Sequence, residues 1–451
     1  MSRRVLFACW PFEGHVFPLL SVALAERERG GEVAFYTGRR LAPVIEAQDV
    51  EVFPFDRVEG VWQRVHERER ELQPRGRSFR MQQAAFREWL VESIPDQVAD
   101  LRAILDRFRP DVLVTDGSMW GPSLVLHEAV PIPVVFASTL LYALIPGPDA
   151  PPPGSRLGVP RTRPERLRAR AVTAVTDLLA RGTRTRLDEL RASYGLPPMG
   201  GSVNAFCARL PLYLIGSDPA LDYDRADLPA SVHYVGPLLW HPPEPPGTRE
   251  WLERIPAERP WVHVTEGTSH FQQPFLLQAA ARGLAGAEVE AILTTGDDRD
   301  LTAVGLGPGG APNVHARNWL SHGELLPRCR VVVTTGGAHT TISALAAGVP
   351  IVIVPTMWDK PENAKRLVEA GVAVRLSRRA CTPQALREAV ERVLADPAYA
   401  ASARRLAARL AAAPGPAGAA ALIEDLVPAS GAAAADLHLQ TITGPGAEER
   451  T

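Results

Sequence analysis

Residues 334–364 of this 451-residue chain read TTGGAHTTISALAAGVPIVIVPTMWDKPENA. Three valines before this stretch predict a buried strand, the pair Gly336-Gly337 predicts a tight turn, and a helix is expected from there to Gly348. A second apolar strand over 351–354 and a helix from Pro361 follow. The first N–H groups of a helix are free and its dipole favours negative charge, so the pattern predicts an anion site. On the glycines alone, a tight turn in any parallel sheet is the alternative interpretation.

The composition is that of an ordinary globular protein of two or more domains. Hydrophobic residues make up 46% and charged residues 22% of the chain, and the formal net charge of −2 gives no electrostatic footprint for nucleic acid. No apolar run has the form of a signal peptide or the length of a membrane span, so we expect a cytoplasmic protein without stable membrane insertion. The cysteines lie far apart without a CxxC spacing, which indicates reduced thiols and supports neither a zinc site nor disulfides. They are Cys9, Cys207, Cys329 and Cys381.

Strands and helices alternate from the N-terminus onward, beginning with an apolar strand over 5–8, a helix, and a strand over 33–36. This rhythm predicts an α/β fold with a doubly wound parallel sheet. A proline-dense segment, 237–247, predicts a linker, and the same rhythm restarts after it. We therefore expect two Rossmann-like domains facing each other across a ligand cleft at the carboxyl ends of both sheets. The predicted divisions are an N-terminal domain over 1–236, a linker over 237–250, a C-terminal domain over 251–427 and a disordered tail over 428–451.

Two further segments of the N-terminal half have a distinctive composition. A stretch rich in proline, glycine and arginine, 145–164, predicts a long irregular loop of the kind that often binds ligands. Two arginine-rich helices are expected over 163–194, and we interpret them as a solvated surface rather than a basic docking patch.

A histidine and an aspartate stand where a catalytic pair could form. His15 follows the loop 10–14 at the start of a helix, and Asp116 ends the apolar strand 111–115. A histidine titrates near neutrality and can take a proton from an alcohol, and an aspartate can fix its tautomer. Taken singly, a helix histidine without a role and an N-capping aspartate are the alternatives.

Several motifs occur together in the chain. They are Trp319, the run from Thr335 to Thr341, Gly348-Val349-Pro350, Pro355, the run from Asp359 to Ala364 and, near the N-terminus, Gly14-His15 followed by Pro18-Leu19-Leu20. With them the chain resembles GT-B glycosyltransferases, most closely the inverting superfamily of plant UDP-glycosyltransferases and bacterial antibiotic and macrolide glycosyltransferases. The resemblance covers about residues 1–425.

This resemblance implies a role for each matching residue. His15 would be the general base and Asp116 its partner. The residues implied for binding the nucleotide and diphosphate are Gly267, Thr268, Trp319, Leu320, Thr335, Gly336, Gly337, Ala338, His339, Thr340 and Thr341. Those implied for the donor sugar are Trp358, Asp359 and Lys360, and the aromatic residues expected to bind the acceptor are Trp10, Phe12, Trp120 and Tyr142. Because the helix dipole and hydroxyl donors would make a metal unnecessary, we expect neither a metal nor another cofactor, and the co-substrate would be a dTDP-sugar or UDP-sugar.

Three positions depart from the family pattern. The family usually has His at the position of Thr335, so a hydroxyl would replace one contact to the diphosphate. Its ribose-binding Glu is Ser343 here, which makes a deoxyribose donor such as a dTDP-sugar as plausible as a UDP-sugar. Its sugar-binding Gln is Lys360, which would either contact an altered or acidic sugar or point to solvent.

The sequence thus predicts an inverting, metal-independent glycosyltransferase that moves a sugar from a nucleoside diphosphate to a hydroxyl of a small, largely apolar natural product. The alternatives are transfer to a lipid-linked or cell-wall acceptor, which predicts an exposed apolar and basic patch on the first domain, and a catalytically idle protein that only binds. The expected partners are a nucleotide sugar and a small molecule, and a homodimer is left open.

Overall fold

The computed structural model describes residues 2–71, 84, 86–152, 154–155, 157–268, 270, 273–296, 299–304 and 311–427. The tail 428–451, predicted to be disordered, lies outside the described residues. The chain divides into two compact units. The first unit consists mainly of the chain up to Leu238 together with the segment that begins at Pro414. The second consists mainly of Leu239–Ala413.

A parallel sheet forms the centre of the first unit. Its strands are Arg4–Ala8 (β1), Glu32–Thr37 (β2), Glu51–Pro54 (β3), Val112–Asp116 (β4), Val134–Ser138 (β5), Leu212–Ile215 (β6) and Val232–Tyr234 (β7). The seven strands lie in the order β3-β2-β1-β4-β5-β6-β7. The middle strands are continuous apolar runs, as expected when helices cover both faces of a parallel sheet. Strand order reverses between β1 and β4, which pair directly, and open α/β sheets bind ligands at the carboxyl ends of such strands.

Helices connect these strands. They are Glu13–Glu28 (α1), Ala42–Glu46 (α2), Glu59–Glu71 (α3), Ile94–Phe108 (α4), Arg163–Ser193 (α5) and Val203–Cys207 (α6), with π-helical turns at Glu88–Glu92 and Pro122–Leu126, a short helix at His127–Ala129 and a 3-10 turn at Pro219–Leu221. Helix α1 begins at Glu13, so His15 lies in its first turn rather than after a longer loop.

The arginine-rich segment forms one helix of 31 residues, so the prediction of two helices is wrong. A capping box starts it: Thr162 accepts from the N–H of Glu165, whose carboxylate accepts from the N–H of Thr162. The helix passes through Gly182 because an interior glycine costs only about 1 kcal/mol. Its apolar side chains Leu167 and Leu178 are exposed, at 70% and 67%.

The second unit contains a six-stranded parallel sheet. Its elements are Thr248–Glu253 (α7), Trp261–Thr265 (β8), Phe275–Gly283 (α8), Glu290–Thr294 (β9), Val314–Arg317 (β10), His322–Leu325 (α9), Cys329–Thr334 (β11), Ala338–Ala346 (α10), Ile351–Ile353 (β12), Lys360–Glu369 (α11), Ala373–Arg375 (β13), Pro383–Ala395 (α12) and Pro397–Ala412 (α13), with 3-10 turns at Leu301–Val304, Leu326–Arg328 and Arg378–Ala380. The strand order is β10-β9-β8-β11-β12-β13, which repeats the pattern of the first sheet. Helix α8 begins at Phe275, and residues 271–272 shortly before it lie outside the described ones.

The last described helix, Gly415–Glu424 (α14), belongs to the first unit, whereas the prediction ended that domain at residue 236 and placed 251–427 in the second. Helix α14 belongs to the first unit because it packs against α1. Glu424 forms ion pairs with Arg3 and Arg29, and the N–H of Gly415 donates to the carbonyl oxygen of Val235 at 2.6 Å.

By length and composition alone, the stretch Pro397–Glu424 could cross a membrane, and it is the one such stretch among the residues that the structure describes. The structure divides it into α13 and α14, of 16 and 10 residues. Each is shorter than the roughly 20 apolar residues that a helical span needs.

Candidate active site

His15 and Asp116 meet at the switch point of the first sheet. His15 lies in the first turn of α1, which follows β1, and Asp116 is the last residue of β4. His15 Nδ1 lies 3.3 Å from Asp116 Oδ1. The aspartate side chain is fully buried, whereas that of His15 keeps 22% of its surface exposed. The predicted pair therefore exists as a contact, with its histidine open to solvent.

The His15 imidazole and hydrogen bonds from Ser118 keep the buried Asp116 ionised. Burial alone would raise the pKa of this carboxyl, but the His15 imidazole and the hydrogen bonds from Ser118 outweigh it and hold the pKa below its ordinary value. The N–H of Ser118 donates to Oδ1 at 2.6 Å, and the N–H of Trp10 donates to Oδ2 at 2.9 Å. An ionised carboxylate can accept a hydrogen bond from the ring N–H of His15 and stabilise an imidazolium.

Ser118 is a site residue that the sequence reasoning missed. Its hydroxyl donates to Asp116 Oδ1 at 2.5 Å and lies 3.3 Å from His15 Nδ1. The order Asp116-Gly117-Ser118 directly after a strand is a pattern in which an aspartate often bonds the backbone two residues on. That local pattern could have identified it.

The four aromatic residues expected to bind the acceptor occupy different environments. Trp10 is fully buried and Tyr142 is 4% exposed, so both belong to the interior rather than to an open surface. The indole N–H of Trp10 donates to the carbonyl oxygen of Ser118 at 3.0 Å, which makes Trp10 a support for the pair. Phe12 and Trp120 are half-buried. The Phe12 ring centroid lies 5.2 Å from that of His15, so Phe12 lies beside the pair.

The glycine turn follows β11 as predicted. Gly336 has φ +94, and a Cβ there would lie 2.4 Å from Ile353 Cδ1, so only glycine fits. Gly337 is the N-cap of α10, and a Cβ there would meet no atom within 4 Å. A ligand can therefore approach the backbone at Gly337, where the first N–H groups of α10 point away from the helix.

The threonine hydroxyl groups around this turn are expected to contact the diphosphate, and the structure shows how the hydroxyl groups here are placed within the protein. Thr335 is 2% exposed, and its hydroxyl donates to the carbonyl oxygen of Glu266 at 2.9 Å, so it joins the loops after β8 and β11 instead of offering its proton to a diphosphate. Thr341 is fully buried, and its hydroxyl makes no hydrogen bond within the described part of the chain. Thr340 is 8% exposed. Ser343 donates to the carbonyl oxygen of His339 at 2.8 Å, inside the helix.

The predicted sugar-binding residues lie at the start of α11. Asp359 precedes the helix, and its Oδ2 accepts from Asn363 Nδ2 at 2.7 Å. Lys360 is 4% exposed, so the interpretation that it points to solvent is wrong. Trp358 has a left-handed backbone, with φ +61, and is 41% exposed. A non-glycine residue held in this conformation is unusual and is found most often where function fixes it.

The residues implied for the nucleotide base lie on the loop after β10. Trp319 is half-buried and Leu320 is 4% exposed. Asn318, which the sequence reasoning did not single out, anchors this loop: its Nδ2 donates to Arg299 O at 2.7 Å and to Gly296 O at 3.2 Å. Gly267, with φ +73, and the exposed Thr268 follow β8.

A cluster of four histidines lies beside α10, and the sequence reasoning did not predict it. His339 stands 6.2 Å from His241 and 6.4 Å from His322 between ring centroids, and His322 stands 5.7 Å from His263. Burial lowers the pKa of all four, to about 4 for His263 and His339. They are therefore neutral at neutral pH. Among the described residues, no group of three or more His, Cys, Asp or Glu could hold a metal ion.

Two α/β units with the same strand order, each with polar groups at its switch point, define the class of the protein: it has the fold of the GT-B glycosyltransferases. The glycotransferase of kitacinnamycin matches with a TM-score of 0.72 at 23% identity, covering 95% of this chain and 100% of that one. The glycosyltransferase SsfS6 of Streptomyces sp. SF2575, complexed with thymidine diphosphate, matches with a TM-score of 0.64 at 22% identity, covering 94% and 99%.

Sequence comparison is more specific than the fold. 4'-Demethylrebeccamycin synthase of Lentzea aerocolonigenes is 33% identical over 449 residues, which are 95% of this chain and 100% of that protein. The family model for the C-terminal domain of erythromycin biosynthesis protein CIII-like proteins matches residues 283–426. The chain belongs to this family of glycosyltransferases of antibiotic biosynthesis. The predicted fold, family and enzyme class are confirmed, which removes the alternative of an idle binding protein.

Proposed function

We propose that the protein is an inverting glycosyltransferase that transfers a sugar from a nucleoside diphosphate to a hydroxyl of a small, largely apolar natural product, with His15 as the general base. The observation that carries the proposal is the His15–Asp116 contact of 3.3 Å, in which a partly exposed imidazole is backed by a fully buried carboxylate. That arrangement suits proton removal from an alcohol during attack.

The reaction balances as a single displacement. The acceptor hydroxyl gives its proton to His15, its oxygen forms a bond to the anomeric carbon of the sugar, and the bond from that carbon to the diphosphate breaks. Attack opposite the leaving group inverts the anomeric configuration. The nucleoside diphosphate departs with the bonding electron pair, and the N–H groups and dipole at the start of α10 supply the charge stabilisation it needs.

The donor in this proposal is a dTDP-sugar, with a UDP-sugar as the close competitor. Ser343 has no carboxylate to offer a ribose 2′-OH, its hydroxyl donates to the carbonyl oxygen of His339 within the helix, and the residue is 4% exposed. A deoxyribose has no 2′-OH, so the replacement of Glu by Ser343 removes no contact to it. SsfS6, a protein of the same fold, was solved with thymidine diphosphate. Calorimetric titration with dTDP, UDP and GDP tests this order, and tight binding of GDP alone would contradict it.

Metal independence is part of the proposal. Its support is that Gly337 leaves the helix N-terminus of α10 open, and N–H groups together with the helix dipole can take the charge that a divalent cation would otherwise neutralise. Turnover should therefore be unchanged after dialysis against EDTA. A loss that added Mg²⁺ restores would overturn this part.

The test of the base uses His15→Ala, with His233→Ala on β7 as the matched control. We expect the His15 variant to bind dTDP normally and to lose transfer by at least about 100-fold, because a general base contributes that much or more. The control should keep both properties. Near-normal turnover of His15→Ala would refute the role of His15, and product with retained anomeric configuration would refute inversion.

A lipid-linked acceptor is the second candidate, and exposed apolar side chains on the arginine-rich helix α5 support it. Leu167, Val175, Leu178 and Leu179 of α5 are exposed at 70%, 58%, 67% and 61%, on a helix that also carries many arginines. A basic amphipathic helix of this kind suits a membrane surface. Vesicles with anionic lipid should then bind the protein but not Leu167→Gln/Leu178→Gln, while Val368→Gln, at another exposed position, should bind normally.

A further inference from the structure

Ser118 lies within hydrogen-bond distance of both members of the base pair. Its N–H and its hydroxyl both donate to Asp116 Oδ1, at 2.6 and 2.5 Å. Its Oγ also lies 3.3 Å from His15 Nδ1, and Asp116 Oδ1 lies at the same distance from that nitrogen. Nδ1 of the imidazole therefore faces a serine oxygen and a carboxylate oxygen that are bonded to each other.

The tautomer of His15 follows from the single hydroxyl proton of Ser118. A serine hydroxyl has one proton, and the 2.5 Å bond to an ionised carboxylate uses it. The serine oxygen can then only accept, as the carboxylate does. Because both groups that face Nδ1 are acceptors, Nδ1 carries the ring proton in the neutral histidine. Nε2 is left with its lone pair, which is the form that can receive a proton.

The frame that holds Ser118 is buried and shared with Asp116. The fully buried Trp10 donates from its indole N–H to the carbonyl oxygen of Ser118 at 3.0 Å and from its backbone N–H to Asp116 Oδ2 at 2.9 Å. One tryptophan on the loop after β1 thus sets the positions of the two residues that face the imidazole from the end of β4. The separations are then fixed by buried hydrogen bonds of Trp10 rather than left to mobile side chains.

We propose that Ser118 is a positioning residue for His15, which holds the ring proton on Nδ1 and orients the imidazole together with Asp116. The inference rests on the proposed role of His15 as the base. Ser118 acts through His15 and Asp116: its hydroxyl gives a second acceptor to Nδ1 and keeps Asp116 Oδ1 directed at the ring. Without the hydroxyl, the imidazole keeps one acceptor and gains freedom to rotate and to change tautomer.

The first experiment measures the tautomer and does not depend on turnover. Long-range 1H–15N NMR of histidine-labelled protein separates the two neutral tautomers, and the His15 signals are assigned by their loss in His15→Gln. We expect the Nδ1-protonated form to predominate in the parent protein and a mixture to appear in Ser118→Ala. Ser118→Thr, which keeps the hydroxyl, should restore the single form. An unchanged tautomer in Ser118→Ala would overturn the proposal.

The second experiment measures kinetics. Ser118→Ala should lower kcat about 10-fold, less than the loss of the base itself, with the donor KM within about two-fold of the parent value. The control is Ser193→Ala, which removes a hydroxyl bonded to Leu190 O within the first unit and should leave kcat unchanged. If His15→Ala retains turnover, the role of His15 fails whatever Ser118 does. If His15→Ala is inactive and Ser118→Ala turns over normally, only the inference about Ser118 fails.

Discussion

The side-chain amide of Asn363 donates to the carbonyl oxygen of Gly336 at 2.9 Å, so the first turn of α11 is tied to the glycine turn after β11. The same amide donates to Asp359 Oδ2 at 2.7 Å. Asn363 is fully buried. One side chain therefore fixes the turn proposed to bind the diphosphate and the carboxylate proposed to hold the donor sugar.

Asn363→Ala should consequently weaken both stability and donor binding. It leaves the carbonyl oxygen of Gly336 and the Asp359 carboxylate without their donor, at a cost of about 1–3 kcal/mol in the free energy of unfolding. We expect a donor KM raised about 10-fold and an unchanged acceptor KM. Urea unfolding and initial rates check this, with Gln384→Ala as control, since its amide bonds an exposed Glu388. Parent-like stability and donor KM together would contradict the role of Asn363.

Gly336→Ala and Gly337→Ala should fail in different ways. At Gly336 the positive φ and the approach to Ile353 should cost at least about 2 kcal/mol of unfolding free energy. At Gly337 φ is −60 and a Cβ meets no protein atom within 4 Å, so the cost should be about 1 kcal/mol or less. That methyl group would instead occupy the space through which a phosphate approaches. Thermal melts and dTDP titration of both variants separate the effects, and normal dTDP binding by Gly337→Ala would argue against an anion site there.

The ion pair between Glu266 and Arg299 is buried, so we expect removal of one member alone to lower the free energy of unfolding strongly. Arg299 Nη1 lies 2.7 Å from Glu266 Oε2, and both residues are under a tenth exposed. Arg299→Met strands a buried carboxylate and should cost about 3–5 kcal/mol, whereas Glu266→Gln/Arg299→Met should recover most of that loss. Arg387→Met, which breaks the exposed pair with Glu391, should cost less than about 1 kcal/mol. Urea unfolding measures all three, and a double variant no better than the single one would contradict this account.

Local sequence patterns predicted the local structure of the site. The strand, glycine turn and helix around Gly336 depend on neighbouring residues, so they could be read from 334–364 alone. The positions of His15 after β1 and Asp116 at the end of β4 followed from strand ends for the same reason.

Features that depend on distant residues could not be predicted in this way. The contact of Ser118 with His15 and that of Trp10 with Asp116 join residues more than 100 positions apart, although the bond from Ser118 to Asp116 is local. Helix α14 is an ordinary apolar helix in sequence, and only its ion pairs and packing with α1 assign it to the first unit. Lys360 is a surface residue by composition and a buried one by context.

The histidine cluster predicts acid sensitivity of the second unit. Burial lowers the pKa of His263 to about 4, from an ordinary value of about 6.5 in the unfolded chain. Between these two values the unfolded state binds the proton and the folded state does not, so the stability that this histidine contributes at neutral pH is lost as the pH falls from about 6.5 towards 4. At pH 5 the loss for this one residue is about 2 kcal/mol.

His263→Asn isolates this contribution. The asparagine amide can keep the hydrogen bond that Nδ1 of His263 makes to Ile292 O at 3.1 Å, and it does not titrate. We therefore expect the free energy of unfolding to fall less between pH 7 and pH 5 in the variant than in the parent, by about 2 kcal/mol. Urea unfolding at both pH values gives the difference, and carboxylates that titrate in both proteins cancel from it. Parallel losses in the two proteins would mean that His263 keeps an ordinary pKa in the folded state.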